Sequence, residues 1–280
     1  MNIVRKILKL SGTGFTKGQY YESMNKALKR LNNQHTMLHY PLFGKDNDSF
    51  IQAQKNLTDY CLSLLMPIEN KEILEIGCGN GVQALYIKSN YNPLKITGID
   101  LNRANIEIAN SEKEQAKIDN VVFLIDDAQN LSQIPSDSVD VLINIESAFH
   151  YPDKPAFIRE VTRVLKPGGQ FLIADILSTR KKREGLMKIW GKPMGHHFWN
   201  KNRYDEEFLK SQLVINHHED ISHQVKKGWS IYKKWLPKIE RKMFLNHLAY
   251  RIFYIINVKL NIYFLRIRQQ YFIFAGYKPV

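Results

Sequence analysis

The chain has 280 residues, 44% of them hydrophobic, enough for one large core or two small ones. Its two cysteines, Cys61 and Cys78, stand in neither a paired-thiol nor a zinc spacing, which fits a reducing compartment such as the cytoplasm. No uncharged apolar run reaches membrane-spanning length, and the basic N-terminus lacks a signal-peptide core, so a soluble protein is expected.

The net charge of +13 is unevenly spread: residues 1–70 carry +4, residues 71–177 carry −5 and residues 178–280 carry +14. A basic surface of this kind attracts nucleic acid, anionic lipid or anionic substrates. A solvated face with no specific partner accounts for it equally well.

Residues 1–68 read as an N-terminal helical cap, with Tyr20–Leu31 and Ser49–Leu65 its clearest helices. Residues 69–177 then alternate strand-like and helix-like segments, the pattern of a parallel sheet wrapped by helices. The strands are expected at Lys71–Ile76, Lys95–Ile99, Val121–Ile125, Asp140–Ile145 and Gln170–Leu177. Helices are expected at Val82–Ser89, at Ala104–Lys117 and after Asp153, a suitable N-cap with Pro155 in the first turn. Lys166-Pro167-Gly168-Gly169 is expected to stop that last helix and turn the chain into the fifth strand. Residues 178–280 read as a lid plus closing strands: an aromatic, charged stretch without a regular period, a strand within Leu213–Val225, a helix over Lys234–Ile267 and a final strand at Gln270–Tyr277.

The chemistry concentrates in Ile73-Leu74-Glu75-Ile76-Gly77-Cys78-Gly79-Asn80-Gly81. A strand feeding a Gly-x-Gly-x-Gly turn into a helix lets the backbone come close to a ligand, because glycine has no Cβ. A dinucleotide fingerprint would place its third glycine at position 82, which is Val. Glu75 would repel a pyrophosphate and suits a cationic ligand such as a sulfonium. Asp100, followed by Leu101, ends the second strand where nucleoside sites keep an acid for the ribose hydroxyls. Capping of the following helix is its alternative role. After the third strand, Asp127 is assigned to the adenine amino group and the Ala128 N–H to a ring nitrogen, with Asp126 as the alternative acid.

ILEIGCGNG, ITGID, FLIDDAQNL, INIESAFHYPD and VTRVLKPGGQFLIADI, in this order and spacing, resemble the class I S-adenosylmethionine methyltransferases. Within that class the chain is most similar to small-molecule enzymes, the rebeccamycin-type and rifamycin-type O-methyltransferases, and shares much with phthiotriolone and sterol methyltransferases. The resemblance is strong over residues 71–177 and returns at Tyr271–Ala275 and Lys278-Pro279. It implies a doubly wound α/β fold, a mostly parallel seven-stranded Rossmann-like sheet, with S-adenosylmethionine as cofactor. It implies that Gly77 and Gly79 line the methionine moiety, that Asn144 contributes near the sulfonium through its backbone, and that aromatic residues around Tyr40–Phe43 close over the cofactor.

Methyl transfer is an in-line displacement, so the protein mainly aligns the nucleophile and removes its proton. His150, just past the fourth strand, is the candidate base, and Asp175 at the end of the fifth strand could orient its imidazole or accept the proton. In similar enzymes a loop histidine and an acid after the next strand form such a pair. Here the histidine of some relatives aligns with Phe149, one position earlier, and local packing beside Tyr151 is the competing role for His150. Glu146 is a substrate contact or a structural acid. Trp190, Phe198, Trp199 and Tyr204 stand where a substrate lid is expected. His196-His197 and His217-His218 supply no ligand set, and no metal is expected.

The expected activity is methyl transfer to a small-molecule or lipid-like acceptor, with hydroxyl oxygen favoured over carbon or nitrogen. A nucleic-acid methyltransferase is the rival suggested by the basic last third. Base-amino enzymes carry Asn/Asp-Pro-Pro-aromatic where this chain has Asn144-Ile145-Glu146-Ser147, which argues against it. A non-catalytic binding protein is the other rival, and the intact cofactor residues argue against that. Docking of the apolar stretch Phe244–Ile267 on anionic membrane would explain the charge. No feature fixes an oligomeric state.

Overall fold

The structure is a computed structural model that describes residues 17–179, 195–226, 263 and 269–280. The expected helix Lys234–Ile267, Trp190 and most of the basic residues of the last third lie outside these described residues.

Two helices come first, α1 (Lys17–Asn32) and α2 (Phe50–Ser63). The core follows as β1 (Glu72–Ile76), α3 (Val82–Tyr91), β2 (Lys95–Asp100), α4 (Arg103–Ala116), β3 (Val121–Ile125) and β4 (Val139–Ile145). A single 3₁₀ turn (Ala148–His150), α5 (Lys154–Val164) and β5 (Leu165–Ser178) complete it. The described remainder is α6 (Lys201–Lys210), β6 (Val214–Asp220) and β7 (Gln269–Tyr277). The seven strands form one sheet in the order β3-β2-β1-β4-β5-β7-β6, parallel except for the antiparallel β7. The strand order reverses between β1 and β4, and that switch point opens the crevice where such sheets bind ligands.

The two faces of the sheet are both covered, as runs without polar alternation require. Successive residues of β4 point opposite ways: Val141 and Ile143 join a cluster with Leu57, Cys61, Ala84 and Ile87 from α2 and α3. Leu142 joins the other cluster, with Phe157, Val161 and Val164 of α5 and Tyr204 and Phe208 of α6. Each such fully buried aliphatic or aromatic side chain contributes about 1.5–3 kcal/mol. The expected cap holds at α5, where Asp153 accepts the Ala156 N–H; ahead of α2, Ser49 accepts the Gln52 N–H in the same way.

Two local expectations are corrected. Lys166–Gly169 is not a turn before β5 but part of it: the strand starts at Leu165 opposite Val139, and a bulge brings Gln170 opposite Val141. Gly168 and Gly169 stay in the ladder by bonding Lys278 at 2.8 Å each. The stretch read as aperiodic contains α6, whose signal is sparse: an Asn200 N-cap and two buried anchors, Tyr204 and Phe208, four residues apart. Among the described residues no helix is long and apolar enough to cross a membrane.

Candidate active site

A cavity of about 680 Å³ opens at the carboxyl ends of β1, β2, β3 and β4. Its floor begins with the loop after β1. Gly79 and Gly81 have φ of +54° and +75°, in the left-handed region that side chains disfavour. The Gly77 and Cys78 N–H groups donate to the Ile99 carbonyl at 2.8 and 2.9 Å, and the Gly79 N–H donates to Asp100 Oδ2 at 3.0 Å. Asp100 Oδ1 accepts the Asn102 N–H at 2.7 Å. The carboxylate therefore fastens the glycine loop to the start of α4 at the cavity wall. Asn102, not Asp100, caps α4. Gly77, Cys78, Gly79, Asp100 and Leu101 all line the cavity.

Asp126 and Asp127 both line the cavity but differ in what they bond. Asp126 is buried, and its oxygens accept the Asp127 N–H, the Ser132 hydroxyl and the Gln133 N–H. Asp127 lines the cavity half-buried, bonded through Oδ1 to the backbone and side chain of Gln129, with Ala128 beside it.

The opposite end is formed by Glu146, Ser147, His150 and Tyr151, and the roof by Gly18, Tyr21 and Met37–His39. His150 Nε2 and the Tyr21 hydroxyl are hydrogen-bonded at 2.7 Å across 129 positions of sequence. Glu146 has φ of +53°, strained backbone for a non-glycine residue at the end of a strand. Its Oε1 accepts the Tyr40 N–H at 2.6 Å, and burial pushes its pKa up to about 8.

Four expected roles are relocated, those of Asp175, Asn144, Gly81 and the covering segment. Asp175 is fully buried outside the cavity: Oδ1 accepts the Phe149 N–H at 2.9 Å and Oδ2 the Tyr204 hydroxyl at 2.6 Å, so it does not touch the His150 ring. Asn144 is also fully buried, its amide donating to the Ile76 carbonyl and to the Ser147 and Tyr151 hydroxyls beneath the site. Gly81 does not line the cavity; a Cβ there would meet Ala109 and Phe123 at 2.6 Å, so it serves helix–strand packing. Glu75 lies behind the loop, with Oε2 unbonded, and burial followed by the Asp100 charge raises its pKa to about 8. The covering segment is Met37–His39 and not Tyr40–Phe43.

Trp199 and Tyr204 pack on each other inside the core, and Phe198 stacks on Phe149 at 5.9 Å, so this aromatic group supports the site from behind. Among the described residues no group of three His, Cys, Asp or Glu side chains could hold a metal. Sequence reasoning missed Tyr21, Asn80 and Asn105, which line the cavity. Asn80 was legible as part of the glycine loop; the other two sit on helices whose facing direction only the fold reveals.

A strand-end acid, a glycine loop and a second acid after β3, all at a sheet's switch point, define a nucleoside-binding α/β protein. The volume lies within the range of roughly 300–1,000 Å³ usual for small-ligand sites. An adenosyl group carrying a cationic tail fits these residues, because the unbonded Glu75 oxygen lies behind the loop where a cation would neutralise it. Comparison with known proteins then gives the family: the pattern described as Methyltransferase domain matches residues 68–241, and the chain belongs to that family.

Over 117 residues it is 38% identical to a phthiotriol/phenolphthiotriol dimycocerosates methyltransferase of Mycobacterium leprae, 42% of each chain. Over 161 residues it is 33% identical to the 27-O-demethylrifamycin SV methyltransferase of Amycolatopsis mediterranei, 57% of this chain and 58% of that one. The chain thus spans about half the length of these curated relatives. A solved structure of Haemonchus contortus phosphoethanolamine N-methyltransferase 2 in complex with S-adenosyl-L-methionine matches with a TM-score of 0.79. That match covers 100% of this chain and 61% of the other at 16% identity, a likeness of fold.

Proposed function

We propose that the protein is an S-adenosylmethionine-dependent methyltransferase that modifies a hydroxyl oxygen of a small-molecule or lipid-like acceptor. The observation that carries this reading is a single cavity with nucleoside-type acids, Asp100 and Asp127, at one end and the Tyr21–His150 pair at the other. The bound cofactor supplies an electrophilic methyl group on a positively charged sulfur. The chain does the rest: Asp100 holds the ribose hydroxyls, Asp127 and the Ala128 N–H the adenine edge, and Gly77 and Gly79 admit the amino-acid tail. His150 takes the acceptor's proton directly, or Tyr21 takes it while passing its own to His150 Nε2. The roof formed by Tyr21 and Met37–His39 keeps water from the reacting centre.

Calorimetry with S-adenosylhomocysteine tests the cofactor assignment, with micromolar binding expected and none in Asp100→Ala. Transfer of labelled methyl from S-adenosylmethionine to a panel of fatty acids, polyketide alcohols and amines tests the acceptor. Turnover should fall by about 10²-fold or more in His150→Gln while cofactor affinity is kept; full activity in that variant would remove His150 as base.

A second reading, transfer to an amine nitrogen, is favoured by Glu146. Among the described residues this cavity-lining carboxyl has no cationic partner, so an ammonium acceptor would complete it. Selective labelling of amines in the same panel, lost in Glu146→Gln, would favour it over the hydroxyl. The charge of +14 in residues 178–280 is the ground for proposing contact with anionic lipid as well, tested by co-sedimentation with anionic vesicles at low and high salt.

A further inference from the structure

Helix α1 meets the cavity along one stripe. Tyr21 and Asn25 are four residues apart, so their side chains lie one above the other on the same face. Tyr21 reaches His150, while Asn25 is 1% exposed and uses both ends of its amide. Its Nδ2 donates to Asn105 Oδ1 at 3.0 Å, and its Oδ1 accepts from Asn80 Nδ2 at 2.8 Å. Asn80 also donates to the Thr36 carbonyl at 2.8 Å and accepts the Val82 N–H through Oδ1 at 3.3 Å. Asn80 and Asn105 are themselves 2% and 3% exposed, so water is nearly excluded from the chain of amides.

The two partners of Asn25 belong to the two segments that face the ligand. Asn80 is part of the glycine loop, and Asn105 stands in the first turn of α4, just after Asp100. An amide clasped from both sides fixes the helix in rotation and along its axis, which apolar packing does not, because hydrophobic contact is non-directional. The tolerance is small. Neighbouring helix positions differ by about 1.5 Å along the axis and about 100° around it, so a slip of one position would turn the Tyr21 side chain off the stripe that faces His150.

The geometry points to Asn25 as a positioning residue that registers α1 on the glycine loop and on α4, and thereby holds the Tyr21 hydroxyl on His150. This rests on the reading of Tyr21 and His150 as the proton-transferring pair. Cofactor site and pair are thereby joined through one side chain: whatever steadies Asn80 and Asn105 also steadies Tyr21.

The test uses the full chain labelled with ¹⁵N-histidine, with and without saturating S-adenosylhomocysteine. The His150 ring nitrogens, identified by their loss in His150→Gln, report the bond to Tyr21. Tyr21→Phe is expected to move the His150 Nε2 resonance and its titration midpoint. Asn25→Leu should move both in the same direction and by the same amount, and Asn25→Leu in the Tyr21→Phe background should add nothing. Asn105→Ala attacks the clasp from the other side and decides the matter if Asn25→Leu fails to fold. A folded Asn25→Leu with a lower melting temperature but wild-type His150 resonances would make Asn25 merely structural and overturn the assignment. If the wild type binds no S-adenosylhomocysteine, the functional reading falls, and the ligand-free spectra still decide whether Asn25 positions Tyr21.

Discussion

The Asp175 carboxylate accepts the Phe149 backbone N–H at 2.9 Å and so acts on the peptide next to His150, not on its imidazole. It is held in place by the Tyr204 hydroxyl at 2.6 Å and by Lys154 Nζ at 3.9 Å, with both ionic side chains fully buried. Lys154 in turn donates to the His197 carbonyl, and the His197 N–H donates to Phe149 O at 2.6 Å. The segment after β5 is thus pinned to the turn that carries His150.

Asp175→Ala should therefore damage the fold more than the chemistry. Removing one member of a buried ion pair leaves the Lys154 charge uncompensated, at a cost of about 3 kcal/mol. Denaturant unfolding should show that loss, while calorimetry of the folded fraction finds S-adenosylhomocysteine bound within about threefold of wild type, a difference below 1 kcal/mol. Undiminished stability with turnover abolished would put Asp175 back at the reacting centre.

The two acids after β3 should fail differently. Asp126→Ala orphans the Asp127 N–H, the Ser132 hydroxyl and the Gln133 N–H, and should lower stability by about 2 kcal/mol. Asp127→Ala leaves the fold and removes a charged acceptor from the cavity, so cofactor affinity should fall by roughly 10- to 100-fold. A thermal melt and a binding isotherm for each variant separate the two. Equal losses of affinity at unchanged stability would mean that Asp126 also reaches the ligand.

How much of this was legible in the chain follows from where each signal lies. The boundaries of β1 to β4 were readable within one residue, because β3 and β4 hold nearly unbroken apolar runs and β1 and β2 end at the glycine turn and at Asp100. The glycine loop, Asp100 and Asp127 were readable because a βα turn concentrates its chemistry in a few consecutive positions. Asp175 was misassigned because sequence places it at the right strand end but does not show that its side chain turns inward to Phe149 and Tyr204. Tyr21 was invisible for a related reason: its partner is 129 residues away, and nothing in α1 marks which of its polar residues faces the crevice.

The glycine loop gives a contrast between two identical substitutions. Gly79→Ala adds a Cβ 2.8 Å from the flexible end of Leu38 and keeps a left-handed φ, costing about 1–2 kcal/mol in the fold. Its larger effect should be on binding, because Leu38 belongs to the roof. Gly81→Ala drives a Cβ to 2.6 Å from both Ala109 and Phe123 in the packed core, so strain and overpacking together should reach about 3 kcal/mol. Melting curves with and without S-adenosylhomocysteine should show Gly81→Ala as the less stable variant and Gly79→Ala as the one with less ligand-induced gain. The reverse order would mean that Gly81, not Gly79, is the position felt by the ligand.

Glu75 gives the site a pH dependence whose sign can be worked out. Burial, then the charge of Asp100, raises its pKa from 4.5 to about 8. Its contribution to stability is fully present below 4.5 and is lost as pH rises through 8, since the folded state holds the proton more tightly. Binding of a cation runs the other way. A cationic ligand favours the ionised carboxylate, so association releases a proton between those two values, and affinity for S-adenosylmethionine should climb with pH and level off near 8. One proton limits the slope to about tenfold per pH unit. Glu146, raised to about 8 as well, and the amino group of the ligand titrate in the same range, so the informative quantity is the difference between wild type and Glu75→Gln. In that variant the position is neutral at every pH, and the proton release measured by calorimetry in buffers of different ionisation enthalpy should drop by up to one proton near pH 7. Identical proton release in the two proteins would show that Glu75 keeps its proton when the cation arrives, and that the acid behind the loop contributes to packing alone.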